Sequence, residues 1–232
     1  MTLGAILTAI AQETHKGGSL PATNSTSSMD TVTRARLLNH VNRKHRAVLS
    51  KPQASHLREG TTTVASVIGT ALYALTGVAK LHRVFETTND RRLIPMTLDQ
   101  YRSMEPDPAS NQGTPTHFVN AGYNSSRQPQ FYLWPTPSAV ITYTCDVLNA
   151  VTDLSADADL PLLPDDYHDV LVLAGLVEEY RRLDDPRLVA AKQDLSERER
   201  DLWYWLAETA SGSTNFTDDA PSRLGPWFPA NS

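Results

Sequence analysis

The chain has 232 residues, 40% of them hydrophobic, a formal charge of −5 at neutral pH and one cysteine, Cys145. Its length suits one domain with extensions. A lone cysteine excludes an internal disulfide and a cysteine-built metal site, and no run approaches the roughly 18 apolar residues of a membrane helix. The charge is uneven: residues 1–60 carry eight Lys/Arg against three Asp/Glu, and residues 61–232 carry thirteen against twenty-three. That split predicts two faces meeting different surroundings.

Thr2 can cap a first helix with Leu3, Ile6, Leu7 and Ile10 on one face, ended by Gly17-Gly18. Residues 1–12 lack a basic segment before their apolar stretch, so no secretory signal is expected. Residues 19–28 read as a Ser/Thr-rich linker. Asp30 caps a second helix through about Leu49, with Leu37, Val41, His45 and Val48 as its apolar stripe. Arg34, Arg36, Arg43, Lys44 and Arg46 fill the rest, and Pro52 marks the end.

From Thr61 the texture becomes Thr/Val/Ala/Tyr-rich, which predicts strands around 61–68, 71–75 and 78–87. Thr97 and Gln100 form a capping box that opens a short helix through Tyr101 and Met104, stopped by Pro106 and Pro108. A strand is expected at Thr116–Asn120, a turn at Gly122–Gln128, and strands at Gln130–Trp134 and Ala139–Cys145 joined through Pro135 and Pro137. Cys145 then reads as a small buried hydrophobe. Asp153–Asp159 is an acidic loop.

Pro164 opens a helix through Leu183 with Tyr167, Leu171, Ala174 and Tyr180 on its buried side. Asp184-Asp185 turns the chain. Pro186 begins a last helix with a stripe of Leu188, Ala191, Leu195, Leu202 and Leu206. So short a turn makes the two helices antiparallel neighbours. The fold class is therefore α+β: a helical core with a C-terminal antiparallel helical hairpin, a small antiparallel β meander at about 61–145, and extended termini. The divisions are a helix at 1–18, the linker at 19–28, a main domain at 29–210, and a tail at 211–232.

The chemistry is sparse. A helical metal pair wants rings on one face, as at i and i+4. His40 and His45 are five apart, so no metal site is expected. His168 beside Asp165, Asp166 and Asp169 has the composition of an acid/base cluster, but acidic residues in a first helical turn complement the helix dipole. Adjacent Glu178 and Glu179 diverge on a helix. No catalytic residue and no cofactor-binding residue is assigned. The basic helix at 30–49 has the charge to touch nucleic-acid phosphates but no interleaved aromatics for base stacking. The tail carries Trp227-Phe228 between prolines, with Leu224 nearby. Aromatic residues of this kind anchor protein interfaces.

Three stretches together resemble the head-to-tail adaptor (connector) proteins of tailed bacteriophages: GTPTHFVNAGYN from Gly113, QFYLWPTPSAVITYT from Gln130, and LPLLPDDYHDVLVLAGLVEEYRRLDDP from Leu160. The resemblance covers about Thr31 to Ala210. This chain has a longer Ser/Thr linker at 19–28 than that pattern. The resemblance implies a structural virion protein, not an enzyme, assembled in the host cytoplasm and placed at the head–tail interface. It implies a ring of identical copies, typically twelve, that binds the portal protein and a downstream tail or nozzle protein. Genomic DNA would pass through its lumen without specific binding, and no membrane is involved. Within that reading Trp227, Phe228 and Leu224 are the expected portal-docking residues. Tyr73, Leu75, Leu81 and Phe85 are the expected subunit or tail interface, unless they are ordinary sheet core. The alternatives are a stopper or tail-completion protein one ring lower, a tail-associated hydrolase, and a nucleic-acid-binding module.

Overall fold

The computed structural model describes residues 1–14, 29–104 and 111–212. Its helices are α1 (Leu3–Thr14), α2 (Thr31–Leu49), α3 (Leu98–Met104), α4 (Asp169–Leu183) and α5 (Leu188–Gly212). Its longer strands are β1 (Glu59–Ala65), β3 (Val78–Glu86), β7 (His117–Tyr123), β8 (Pro129–Trp134) and β10 (Thr142–Asn149). Short strands are β2 (Leu72–Ala74), β4 (Arg91–Arg92), β5 (Ile94–Met96), β6 (Gln112–Gly113) and β9 (Thr136–Pro137). The described residues divide into two compact units: Met1–Glu59 with Ala150–Ala210, and Gly60–Asn149.

The first unit is helical. α2 starts where its sequence signal says: the Asp30 carboxylate accepts from the Val32 and Thr33 amides. These bonds satisfy two donors that a helix N-terminus otherwise leaves open; the Thr33 hydroxyl first, then the Thr33 and Val32 amides, hold the Asp30 carboxyl below its ordinary pKa. Leu3, Ile6, Leu7 and Ile10 of α1 are fully buried with Leu37 and Val41 of α2, Val170 and Leu171 of α4, and Leu202 and Leu206 of α5. α1 packs closely on α4 because Gly175 has no side chain there. A Cβ at that position would sit 2.4 Å from Ile10 Cδ1.

The acidic loop is an ordered connector. Buried Asn42 clamps it to α2, donating to the Leu154 carbonyl and accepting from the Leu154 amide, both at 2.9 Å. The carbonyls of Asp159 and Asp157 then accept the Leu3 and Gly4 amides at 2.8 and 3.0 Å, which caps the first turn of α1. The helix expected from Pro164 opens instead as a 3-10 turn, Asp165–Tyr167, before α4 begins at Asp169. His168, only 1% exposed, ties this turn down: its Nε2 lies 2.7 Å from the Leu163 carbonyl oxygen. Asp184, at φ 52°, ends α4 in the left-handed conformation. Across the turn the Arg187 guanidinium packs over the Tyr180 ring. α4 and α5 thus form the C-terminal helical hairpin.

The second unit holds two four-stranded sheets, in the orders β1-β10-β3-β4 and β2-β8-β7-β5, plus the two-stranded β6-β9. β7 and β8 form the local antiparallel hairpin, turned at Asn124–Gln128. The next long strand does not extend that hairpin. β10 joins the other sheet and pairs antiparallel with β3, Tyr143 opposite Glu86 and Cys145 opposite Val84. Pro135 and Pro137 have no amide to donate, so the chain leaves the β8 ladder between them. The last strand consequently begins at Thr142, three residues later than its apolar pattern suggests, and Ser138–Ile141 is a connecting loop. β5 and β7 run parallel. Buried Val84, Leu93, Phe131, Leu133, Tyr143 and Cys145 are among the residues of this unit's core. Burial pushes the Cys145 thiol up to about 12, so it packs as a neutral hydrophobe.

α3 carries the capping box read from sequence. The Thr97 amide donates to Gln100 Oε1 at 3.0 Å, and the Gln100 amide donates to Thr97 Oγ1 at 3.2 Å.

Candidate functional surfaces

The basic residues of α2 face carboxylates, not solvent alone. Arg34 pairs with Asp157 at 2.8 Å, Arg36 with Glu179 at 2.7 Å and Arg46 with Asp153 at 3.2 Å. Arg43 pairs with Glu178, and Lys44 with Glu199. All five cations singled out in the sequence are thereby matched to the acidic loop, α4 and α5. Such pairs leave little positive field to attract a phosphate backbone. The basic N-terminal quarter meets the acidic remainder inside one unit.

Glu179 is the buried centre of this network, with its side chain 3% exposed. Arg36 Nε donates to its Oε1 at 2.7 Å. Arg182 Nε and Nη2 donate to Oε2 at 3.0 and 2.8 Å. His40 Nε2 lies 3.4 Å from Oε1. Burial alone would push the carboxyl up; hydrogen bonds and charge from the two arginines outweigh it and hold the group below its ordinary value. Glu178, one residue earlier, turns to Arg43 and Arg181 instead. The two adjacent carboxylates therefore serve different partners.

The histidines are likewise held apart. His45 is 2% exposed, and its Nε2 accepts the Leu162 amide at 3.3 Å. Burial lowers its pKa, aided by His168 and opposed by the Asp153 charge. Among the described residues no group of three or more His, Cys, Asp or Glu is placed to hold a metal ion. No helix of the described residues is long and apolar enough to cross a membrane. An open groove of about 530 Å³ runs between α2 and α5, lined in part by Lys44, Val48, Lys51, Glu199 and Trp203.

In the second unit, Tyr73, Leu75 and Leu81 are 9%, 3% and 3% exposed and belong to its core. Phe85 is half-buried on the other face of its sheet, in a cross-strand row with Thr144 and Arg92. Trp227, Phe228 and Leu224 lie outside the described residues. What the sequence reading missed is the neighbour of the Tyr73 core. Val67, Ile68 and Val140 are 58%, 57% and 68% exposed, on two loops stitched together. Ser66 Oγ donates to the Ala139 carbonyl at 3.0 Å and accepts the Ile141 amide at 2.8 Å. Tyr73 Oη accepts the Val67 amide at 3.0 Å and donates to the Thr70 carbonyl at 2.7 Å. Three branched aliphatic side chains thus stand on a pre-organised tip. The chain carries no charged residue from Gly60 to Ala79, a signal that marks an apolar surface as well as a core.

Ion pairs thus join the helices of the first unit, its buried histidines are set into the packing, and an exposed apolar tip stands on the second unit. The family model described as SU10 adaptor protein matches residues 1–221, and the chain belongs to this family of phage head–tail adaptors. It is accordingly a structural protein of the virion, a component of the head–tail junction. No curated protein matches the sequence.

Proposed function

We propose that this adaptor forms a closed ring of identical copies, twelve in number, that joins the portal protein to the downstream tail or nozzle protein and extends the DNA channel. The observation that carries this reading is the family match along residues 1–221. The ion-paired helical unit supports it, because a ring that transmits load needs a stiff subunit. One heterologous interface repeated around an axis closes such a ring. The tail at 211–232 is the portal-docking element, with Trp227 and Phe228 as anchors and Leu224 beside them. The second unit provides the subunit or tail interface. Tyr73, Leu75 and Leu81 support the exposed tip of Val67, Ile68 and Val140 that meets the downstream protein, and Phe85 lies on a separate face. DNA passes through the lumen without specific contacts, and assembly takes place in the host cytoplasm.

Deleting residues 211–232 tests the docking assignment. The truncated protein keeps its helical circular dichroism and loses co-elution with the portal ring. Unchanged co-elution would contradict it.

A further inference from the structure

The groove between α2 and α5 lies wholly within the first unit. Its volume of about 530 Å³ is that of a small binding cleft. Val48, 1% exposed, and half-buried Trp203 form its apolar floor. Exposed Ala47 and Ala207 stand beside them on the two helices, and their short side chains leave room for a larger one. The rim is charged. Lys44 is answered by Glu199, whereas Lys51 is exposed and has no ion pair among the described residues. An apolar floor with an unanswered cation at its edge suits an aromatic side chain followed closely by a carboxylate.

The chain itself carries that pattern just beyond α5. The helix ends at Gly212, and the sequence continues STNFTDD from Ser213, with Asp218 and Asp219 close behind Phe216. No Lys or Arg occurs from Ser213 to Ser222, so this stretch is purely acidic. The reach matches as well. Trp203 lies nine residues before Gly212, about 13 Å along a helix. The four residues from Gly212 to Phe216 span about 13–14 Å when extended. A chain that reverses after Gly212, a residue with no Cβ to oppose the turn, brings the Phe216 ring back to the level of Ala207 and Trp203.

We infer that Phe216 of the free chain docks into its own α2–α5 groove, its ring against Val48 and Trp203, with Asp218 and Asp219 facing Lys51. Burial of the ring supplies most of the stabilisation, and its contact with the Trp203 indole adds to it. The carboxylates set the direction in which the segment crosses the rim. The occupant is the chain's own segment because so short a tether gives an effective concentration in the millimolar range, which a second copy does not match in dilute solution. Docking at Phe216 fixes the root of the tail and leaves Leu224, Trp227 and Phe228 outside the groove. It is internal to one chain and stands whether or not the tail binds the portal.

The test is thiol accessibility in the full-length chain without portal. Cys145 is buried and stays silent, so Ala47→Cys places a single reporter on the groove wall, and Ala207→Cys a second one on the facing helix. The rate of reaction with N-ethylmaleimide is measured for each. Adding Phe216→Ser should raise it by about 10-fold or more, because the buried ring is lost. Lys51→Glu should raise it by about 3-fold, as expected for a rim ion pair, and Asp218→Lys with Asp219→Lys should reverse that gain. Circular dichroism of every variant checks that the fold is kept. Rates that Phe216→Ser leaves unchanged at both reporters overturn the docking. Opening by Trp227→Ser in place of Phe216→Ser gives the groove to the wrong segment and overturns it too. Protection that appears only as protein concentration rises assigns the groove to a second copy and overturns the internal contact. Portal co-elution of the same variants is read separately, so loss of the portal reading leaves this result standing.

Discussion

Replacing Glu179 by Gln tests whether the buried ionic centre holds the helical unit together. The carboxylate is 3% exposed, while Arg36 and Arg182 are 29% and 46% exposed. Hydrogen bonds to a charged group contribute about 1.5–3 kcal/mol each. Removing one partner of a fully buried pair costs about 3–5 kcal/mol because the other charge is stranded. Here the arginines keep part of their water and the amide still accepts one bond, so the expected loss is about 2–3 kcal/mol. For a chain of this length that lowers Tm by about 4–12 °C. The assay is thermal unfolding at pH 7, followed by circular dichroism at 222 nm, which reports the helical unit, with tryptophan fluorescence alongside. A double-mutant cycle with Arg36→Gln isolates the pair. A Tm shift below about 2 °C, or additivity of the two substitutions, would refute the assignment of Glu179 as a stabilising centre.

Acid should weaken the same unit in two steps. The folded pKa of His45 is lowered, so the unfolded chain binds the proton more readily and stability falls as pH drops below about 6.5. The folded pKa of Glu179 is also lowered, so its contribution is present above about pH 4.5 and is lost as pH falls through the folded value. His45→Gln should flatten the first step in a Tm-versus-pH series; an unchanged slope between pH 7 and 5 would contradict this. Ile10→Ala, at a fully buried site against Gly175, should cost about 2–5 kcal/mol in urea unfolding. Gly175→Ala should cost about 1–3 kcal/mol by overpacking, partly rescued by Ile10→Val; an additive pair would contradict the close packing. Because the cations of α2 are matched, the protein should not retard a short DNA duplex in a gel at low salt. A shift that weakens steeply with added salt would reverse that reading.

The helices were legible because their signals are local. The Asp30 cap, the Thr97–Gln100 box and the apolar stripes of α1, α2, α4 and α5 all lie within a few residues of what they specify. The uneven charge was legible but not its meaning, since the partners of Arg36 and Lys44 lie more than 140 residues away. Pairing between segments that distant leaves no period to read. The same holds for Asn42, an unremarkable residue in a basic helix until Leu154 arrives to be clamped. The pairing of β10 with β3 was hidden because alternation predicts a strand but not its neighbour. Tyr73, Leu75 and Leu81 were read as interface or core, and they are core. Charge-free Val67, Ile68 and Val140, exposed beside them, carried the surface signal.

The central claim is tested most directly by the mass of the purified protein, alone and mixed with its cognate portal ring, by light scattering after size exclusion. The account predicts co-elution with the portal at near one adaptor subunit per portal subunit. A portal that still engages its other partners yet leaves this protein unbound would contradict it.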